Sequence, residues 1–161
     1  GLKNGEESFE RFEKIRASGA AITGLWCEDW AGIRQTSFGT RLFWDWKWKP
    51  ERYPDLPKQI ADLAEEGIRF LGYVNPYLAV DGVFYQEALA AGYLALRQEN
   101  DEPYAVDFGE FDAGVVDFTN PQAAAWFAER IIGHEMLDFG IAGWMADFGE
   151  YLPTDVRLFD G

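Results

Sequence analysis

Hydrophobic residues recur along the chain with two different periods, one typical of helices and one typical of buried strands. Phe9, Phe12 and Ile15 are spaced by three within the charged segment 8–18, which predicts an amphipathic helix that ends at Gly19. The same criteria, together with glycine stops, predict three more helices, over residues 57–67, 83–92 and 120–140.

Short apolar runs between these helices predict four buried strands, over residues 20–26, 69–74, 114–118 and 141–146. Alternation of strands with helices predicts a parallel sheet, either doubly wound or closed into a barrel. Polar residues follow each strand, as in a site at the carboxyl rim of a barrel, and no GxGxxG turn follows the first strand. These residues are Glu28 and Asp29, Asn75 and Tyr77, Asp117 and Thr119, and Asp147 and Glu150.

The predicted fold is therefore α/β, a (β/α)8 TIM barrel of which this chain supplies roughly the first half, strands 1–4. Residues 1–161 are interpreted as one domain, the N-terminal half of a catalytic barrel. The 48% hydrophobic content provides enough apolar surface for a sizeable core.

The formal net charge of −14 disfavours two classes of partner, nucleic acids and anionic membrane surfaces, because both are bound through clustered Lys and Arg. A small molecule fits better. The single cysteine, Cys27, has no partner for an internal disulfide, and no Cys/His cluster indicates zinc. We therefore expect neither a metal nor a cofactor, and no apolar run is long enough for a membrane span.

Segment 27–55 is long, rich in aromatic residues and without a clear period, which predicts a loop that carries binding groups. Trp30, Trp46 and Trp48 lie in it. They could stack on a sugar, but tryptophans at this density more often fill a core.

Asp147 follows an apolar strand in the run GWMADFGE, with Glu150 three residues later. Such an Asp suits either the attacking carboxylate of a glycosidase or the cap of a following helix, and the pattern alone does not choose between these roles. Arg41 and Trp44, judged by pattern alone, are an ordinary surface arginine and a core tryptophan.

Three weaker signals have simpler explanations. The run DFG at 138–140 lacks the Gly-rich loop and other motifs of a kinase, and the acidic residues of segment 107–112 lack EF-hand spacing. His134, the only histidine, is expected to complement the carbonyls at a helix C-terminus.

The runs LWCEDWAGIRQTSFGTRLFWDWKW, RFLGYVNPYL, GVVDFTNP and GWMADFGEYLPTD together resemble glycoside hydrolase family 31, and within it the bacterial sulfoquinovosidases. The resemblance covers nearly the whole chain. It implies a retaining α-glycosidase of the bacterial cytoplasm that hydrolyses α-sulfoquinovosides, such as the glyceryl glycoside left by deacylated sulfolipid.

By this resemblance Asp147 is the nucleophile that forms a glycosyl-aspartate intermediate, and Glu28 binds ring hydroxyls. Arg41 and Trp44 bind the sulfonate, a permanent anion that a guanidinium fork and an indole N–H can recognise. Supporting roles around these groups fall to Asp29, Trp144 and Glu150. The acid/base of the family has no counterpart in this sequence.

Two alternatives remain at this point. One is an α-glucosidase or α-xylosidase of the same family, and the other is a non-catalytic carbohydrate-binding fragment. The expected partner is a small glycoside, the full-length enzyme could form a homo-oligomer, and the isolated chain is expected to be inactive and marginally stable.

Overall fold

A computed structural model describes residues 4–161 of the chain. The α-helices are Gly5–Ala17 (α1), Leu56–Glu65 (α2), Val83–Ala91 (α3) and Pro121–Trp126 (α4), and α4 continues into a π-helix, Phe127–Leu137. The strands are Gly24–Trp26 (β1), Ile33–Thr36 (β2), Gly39–Leu42 (β3), Arg69–Val74 (β4), Tyr77–Ala79 (β5), Leu96–Arg97 (β6), Ala105–Asp107 (β7), Asp112–Val115 (β8), Gly143–Ala146 (β9) and Val156–Arg157 (β10).

The organising element is a parallel sheet with strand order β1-β4-β9, and the helices and the main hydrophobic core pack around it. Tyr73 is the register partner of Met145, so the two side chains lie on the same face of the sheet. Asp147, two residues after Met145, is directed to that face just beyond the carboxyl end of β9. The alternation of side chains along the strands therefore places Asp147 on the same face of the sheet as Tyr73.

The prediction of four parallel strands is wrong, since the part of the chain described here contributes three. The predicted third strand, residues 114–118, corresponds to β8, which pairs antiparallel with β5 and β7 in a separate sheet. Gly114 lies against α3, where an added Cβ would come within 2.6 Å of the Tyr85 ring. A strand buried on both faces is a continuous apolar run in a parallel and in an antiparallel sheet alike. Hydrophobic periodicity therefore could not distinguish the two types of sheet for residues 114–118.

The long segment 27–55 also differs from its prediction as a loop without regular structure. It contains the antiparallel hairpin of β2 and β3, whose tight turn ends at Gly39 with a φ of 102°. A left-handed backbone at this point favours glycine, which has no Cβ to clash. The hairpin carries Arg41, so its position matters for the site.

Two buried groups fix this segment against the rest of the fold. Asp45, only 2% exposed, accepts hydrogen bonds from the backbone N–H groups of Val83 (2.6 Å) and Phe84 (3.3 Å) at the start of α3. The N-cap of α3 is a glycine without a capping side chain, so Asp45 satisfies these donors from a distant part of the sequence. The carbonyl of Trp44 accepts from the N–H of Ala79 at 2.8 Å, which fixes the adjacent residue as well.

One face of the parallel sheet exposes large apolar side chains. Trp26 is 44% and Met145 46% exposed, and within the described residues β1 and β9 each pair with one strand alone. Such a surface is what the interior of an incomplete barrel presents. The expectation that the isolated chain is marginally stable rests on this face and stays a prediction. Among residues 4–161 no helix is both long and apolar enough to cross a bilayer.

Candidate active site

A pocket of about 290 Å³ at the carboxyl end of the parallel strands brings together four side chains predicted from the sequence. Glu28 follows β1, Arg41 lies on β3, Trp44 follows β3 and Asp147 follows β9. The pocket is completed by Thr40, Leu42, Tyr73, Phe111 and Phe148. Residues from five separate segments thus converge at the rim where barrel enzymes place their active sites.

Asp147 is half-buried, and its backbone N–H continues the sheet ladder by donating to the carbonyl of Val74 at 3.0 Å. The next two residues, Phe148 and Gly149, have positive φ angles of 55° and 121°, so the chain leaves the strand in a left-handed turn. No helix begins after Asp147 in the described residues. The helix-capping interpretation of this carboxylate is therefore wrong.

Tyr73 contacts Asp147 directly, although no sequence pattern predicts a role for it. Its phenol O–H donates to Asp147 Oδ2 at 2.9 Å. Burial raises the pKa of the Tyr73 phenol, and the hydrogen bond to Asp147 raises it further, so the hydroxyl keeps its proton for donation. Within an apolar strand a tyrosine looks like a core residue, and only the pairing of β4 with β9 shows its polar contact.

Glu28 lines the same pocket as Asp147 and is partly buried. Burial raises the pKa of Glu28 above its ordinary value of 4.5, and the nearby carboxylates of Asp29 and Asp147 add to the increase. Additional negative charge in this pocket is therefore unfavourable. The pocket favours ligand groups that donate hydrogen bonds, and an anionic group would need a nearby cation.

Replacing Glu28 by Gln is expected to change how the stability of the full-length protein depends on pH. Because the folded-state pKa of Glu28 is raised, its stabilising contribution is complete below the unfolded-state pKa and is lost as pH rises through the folded-state pKa. The stability difference between E28Q and wild type should therefore shift in favour of E28Q over that window and then stay constant. Thermal unfolding midpoints measured for both proteins from pH 4 upward test this, and a difference independent of pH would contradict it.

Arg41 is exposed on β3, and its guanidinium makes one weak bond, Nη1 to the carbonyl of Thr40 at 3.3 Å. Among residues 4–161 no carboxylate lies within ion-pair distance of it. Its cross-strand partner Arg34 is different, because it donates to Asp81 at 2.7 Å and lies over the ring of Phe111. The two arginines are in register on one hairpin, but Arg34 makes structural contacts and Arg41 is available to a ligand.

Trp44 is 6% exposed, and its ring packs against Tyr77 and Phe108 at centroid distances of 5.5 and 4.7 Å. Its indole nitrogen has no hydrogen-bond acceptor within the described part of the chain. A buried indole ring with an unused N–H at a pocket wall can donate to a polar ligand without losing another bond.

The other three tryptophans of this segment are core residues. The indole N–H groups of Trp30, Trp46 and Trp48 donate to the backbone carbonyls of Tyr73, Tyr77 and Tyr53, each at 2.9 Å. Trp30 and Trp46 are at most 1% exposed. The suggestion that these rings stack on a sugar is therefore wrong for Trp30 and Trp46, whereas Trp48 is partly buried and packs against Phe139 at a centroid distance of 5.2 Å.

The three residues predicted to support the site lie in different places. Asp29 is 3% exposed, pairs with Arg52 at 2.5 Å and accepts from the Tyr53 hydroxyl at 2.6 Å, so it braces the base of the segment after β1. Trp144 lines a separate cavity of about 320 Å³ on the other side of Asp147. Glu150 is exposed and does not line the pocket that contains Asp147.

Several polar groups away from this pocket have structural partners. A cavity of about 500 Å³ contains Lys49 and Arg52, which pair with Asp45 and Asp29. Glu110 accepts from the backbone N–H of Ser37 at 2.8 Å, tying the hairpin tip to the segment after β7. In residues 4–161 no group of three His, Cys, Asp or Glu side chains could hold a metal ion.

A carboxylate at the carboxyl end of a parallel strand, in a pocket built from the segments that follow several strands, is typical of the catalytic barrels of glycoside hydrolases. A β-sandwich binding module is excluded by the parallel sheet and its flanking helices.

The chain belongs to glycoside hydrolase family 31. Residues 2–159 match the family described as "Glycosyl hydrolases family 31 TIM-barrel domain". The chain is 65% identical over 161 residues to a sulfoquinovosidase of Agrobacterium fabrum and 48% identical over 162 residues to a sulfoquinovosidase of Escherichia coli. It is also similar to a solved family 31 sulfoquinovosidase from E. rectale in complex with an aza-sugar inhibitor, with a TM-score of 0.93 and 53% identity.

In each of these comparisons the match covers 100% of this chain and 24% of the relative, so the chain spans about a quarter of their length. The resemblance to family 31 and its barrel fold, inferred from the sequence, is confirmed. The activity of a whole enzyme is a matter for proposal.

Proposed function

We propose that the full-length enzyme is a retaining glycosidase that hydrolyses α-sulfoquinovosides through a covalent intermediate on Asp147. The observation that carries this proposal is that Asp147 lines the same pocket as Arg41, an arginine without a carboxylate partner in the described residues. The names of the two curated relatives support the same substrate class.

Asp147 has the geometry of an attacking group. Tyr73 occupies Oδ2, and within the described residues Oδ1 has no hydrogen-bond donor, so it is free to face a ligand. In the first step Oδ1 bonds to the anomeric carbon as the bond to the aglycone oxygen breaks, and that oxygen takes a proton from a carboxylic acid of the enzyme. Water then attacks the same carbon and gives a proton to the conjugate base of that acid, while the ester bond breaks and the Asp147 carboxylate is restored, giving net retention.

The partner carboxylic acid belongs roughly 5 Å from the nucleophile in a retaining enzyme. No residue of this chain is assigned to it. Glu28 lies in the same pocket, but its place after β1 suits hydrogen bonding to ring hydroxyls, whose protons it can accept in pairs.

The sulfonate is the group that selects among substrates. A pocket with two carboxylates repels a ligand anion unless a cation compensates for it, and Arg41 is the arginine that lines this one. The guanidinium of Arg41 makes one weak bond, to the carbonyl of Thr40, and the indole N–H of Trp44 has no acceptor among the described residues, so both can donate charge-assisted bonds to a sulfonate. A glucose hydroxyl would leave the guanidinium charge unmatched.

An α-xylosidase or α-glucosidase is the second candidate, because the chain is 35% identical over 116 residues to the α-xylosidase XylQ of Lactiplantibacillus pentosus, covering 71% of this chain and 15% of that protein. Asp147 would serve either activity, whereas a neutral sugar has no anionic group that Arg41 could bind.

We expect the full-length enzyme to show a higher kcat/KM for an aryl α-sulfoquinovoside than for the matching α-glucoside and α-xyloside, by roughly 100-fold or more if the sulfonate contacts are worth about 3 kcal/mol. Initial rates on the three substrates measure this preference, and proton NMR of the first-formed sugar gives the stereochemistry. A preference for either neutral glycoside would contradict the substrate assignment, and an inverted product would contradict the mechanism.

A further inference from the structure

We propose that Tyr73 is a positioning residue for the nucleophile, holding one oxygen of Asp147 so that the other faces the anomeric carbon. The proposal rests on the proposed role of Asp147 and adds a residue to it. It is carried by the 2.9 Å contact between the Tyr73 hydroxyl and Asp147 Oδ2 and by the place of Tyr73 in the pocket wall.

The tyrosine side chain is held rigidly. Tyr73 is 3% exposed, its ring packs against Trp46 at a centroid distance of 5.9 Å, and its backbone carbonyl accepts from the indole N–H of Trp30 at 2.9 Å. It sits on β4, the central strand of the parallel sheet, next to β9, which leads into Asp147. A hydroxyl fixed on a central strand defines a fixed point for the carboxylate.

The carboxylate, in contrast, has few other restraints. Asp147 is half-buried and precedes a left-handed turn, and in the described residues its side chain makes no other hydrogen bond. Without the Tyr73 hydroxyl the carboxylate could rotate about its last side-chain bond. Misplacement of a reacting atom by about 1 Å can cost on the order of 100-fold in rate.

The direction of donation is also defined. An attacking carboxylate is ionised and only accepts hydrogen bonds, so the phenol must donate. Burial raises the pKa of the Tyr73 phenol, which keeps the donor proton in place. When Oδ1 forms the ester bond, Oδ2 becomes its carbonyl oxygen and can retain the same hydrogen bond, so Tyr73 transfers no proton in either step.

The test is Tyr73→Phe in the full-length enzyme, which removes the hydroxyl and keeps the ring. We expect kcat/KM to fall by about 10- to 100-fold, with most of the loss in kcat and KM changed by less than about threefold. The loss should be equal on an aryl α-sulfoquinovoside and an aryl α-glucoside, because the contact involves the nucleophile and not the sulfonate. Covalent labelling of Asp147 by a fluorinated sugar that traps the intermediate should slow by the same factor.

Tyr104→Phe is the matched control. The Tyr104 hydroxyl also donates to a carboxylate, Asp155 Oδ1 at 2.8 Å, and neither residue lines the substrate pocket. This variant should keep kcat/KM within about twofold of wild type. Thermal unfolding midpoints of both variants show whether the losses arise from misfolding.

A second variant keeps the shape of the Tyr73 side chain. A fluorinated tyrosine at position 73 retains both the ring and the hydroxyl donor, so it should keep kcat within about threefold of wild type while Y73F loses it. If Tyr73 only filled space, Y73F and the fluorinated variant would have the same kcat.

Three outcomes would overturn the proposal: Y73F within twofold of wild type, a loss confined to KM, or the same kcat for Y73F and the fluorinated variant. These differ from failure of the proposed function, which would appear as retained turnover in an Asp147 variant or as a preference for a neutral glycoside in the wild type.

Discussion

Replacing Asp147 by Asn in the full-length enzyme is expected to lower kcat/KM for every α-glycoside by about 10⁴-fold or more, because an amide cannot form the glycosyl ester. The substitution keeps the size of the side chain and allows the Tyr73 hydroxyl to donate to the amide oxygen, so the fold should be preserved. The measurement is hydrolysis of an activated aryl glycoside, where even slow turnover is detectable, together with the loss of covalent labelling at position 147.

The chain contains a matched control for this experiment. The run Asp107-Phe108-Gly109-Glu110 has the same four residue types as 147–150, but Asp107 is exposed and its carboxylate accepts from the backbone N–H of Gly109 at 2.7 Å. Asp107→Asn should keep activity within about threefold of wild type. If D147N retained comparable activity, Asp147 would not be the nucleophile.

Replacing Arg41 by Ala should reduce kcat/KM selectively for the sulfonated substrate. Removing the guanidinium leaves a partly desolvated anion unmatched, at a cost of about 2–4 kcal/mol, or about 30- to 1000-fold in kcat/KM. Activity on the corresponding α-glucoside should hardly change, because the described residues give Arg41 no ion pair that the fold would lose. The two rates, measured in parallel on aryl glycosides with the same leaving group, provide the comparison.

Two further variants distinguish the charge of Arg41 from its planar geometry and from a structural role in the hairpin. Arg41→Lys keeps the charge but not the planar fork, and should recover only part of the lost activity. Arg34→Ala should lower activity on both substrates together with the thermal midpoint, because it breaks the contacts to Asp81 and Phe111 that hold the hairpin. Equal losses on the two substrates for R41A would show that Arg41 is structural.

The functional residues differ in how far the sequence could identify them. Asp147 follows the last parallel strand and lies in a distinctive run of residues, so it was evident as a candidate, and the absence of a following helix in the described residues removed the capping role. Arg41 and Trp44 were ordinary by pattern, and only the resemblance to family 31 indicated a binding role. Tyr73 gave no signal, because a tyrosine within an apolar strand is indistinguishable from a core residue until its neighbour is known.

Asp45 shows the same limit for structural roles. Its carboxylate satisfies donors at the start of a helix nearly forty residues later, a contact that no local capping pattern contains. Trp30 and Trp46 could be assigned to the core on density alone, and their burial and backbone hydrogen bonds agree with that.

The sequence by itself determined the places of the four helices, the parallel strands β1, β4 and β9, and the family. These follow from local periodicity, glycine stops and long runs of characteristic residues, which are properties of contiguous segments. Tertiary structure alone decided that β8 lies in an antiparallel sheet, that Arg41 is unpaired while Arg34 is used, and that Tyr73 contacts Asp147. Each of these depends on which distant segments pack together, and packing energy depends on neighbours that a linear pattern does not specify.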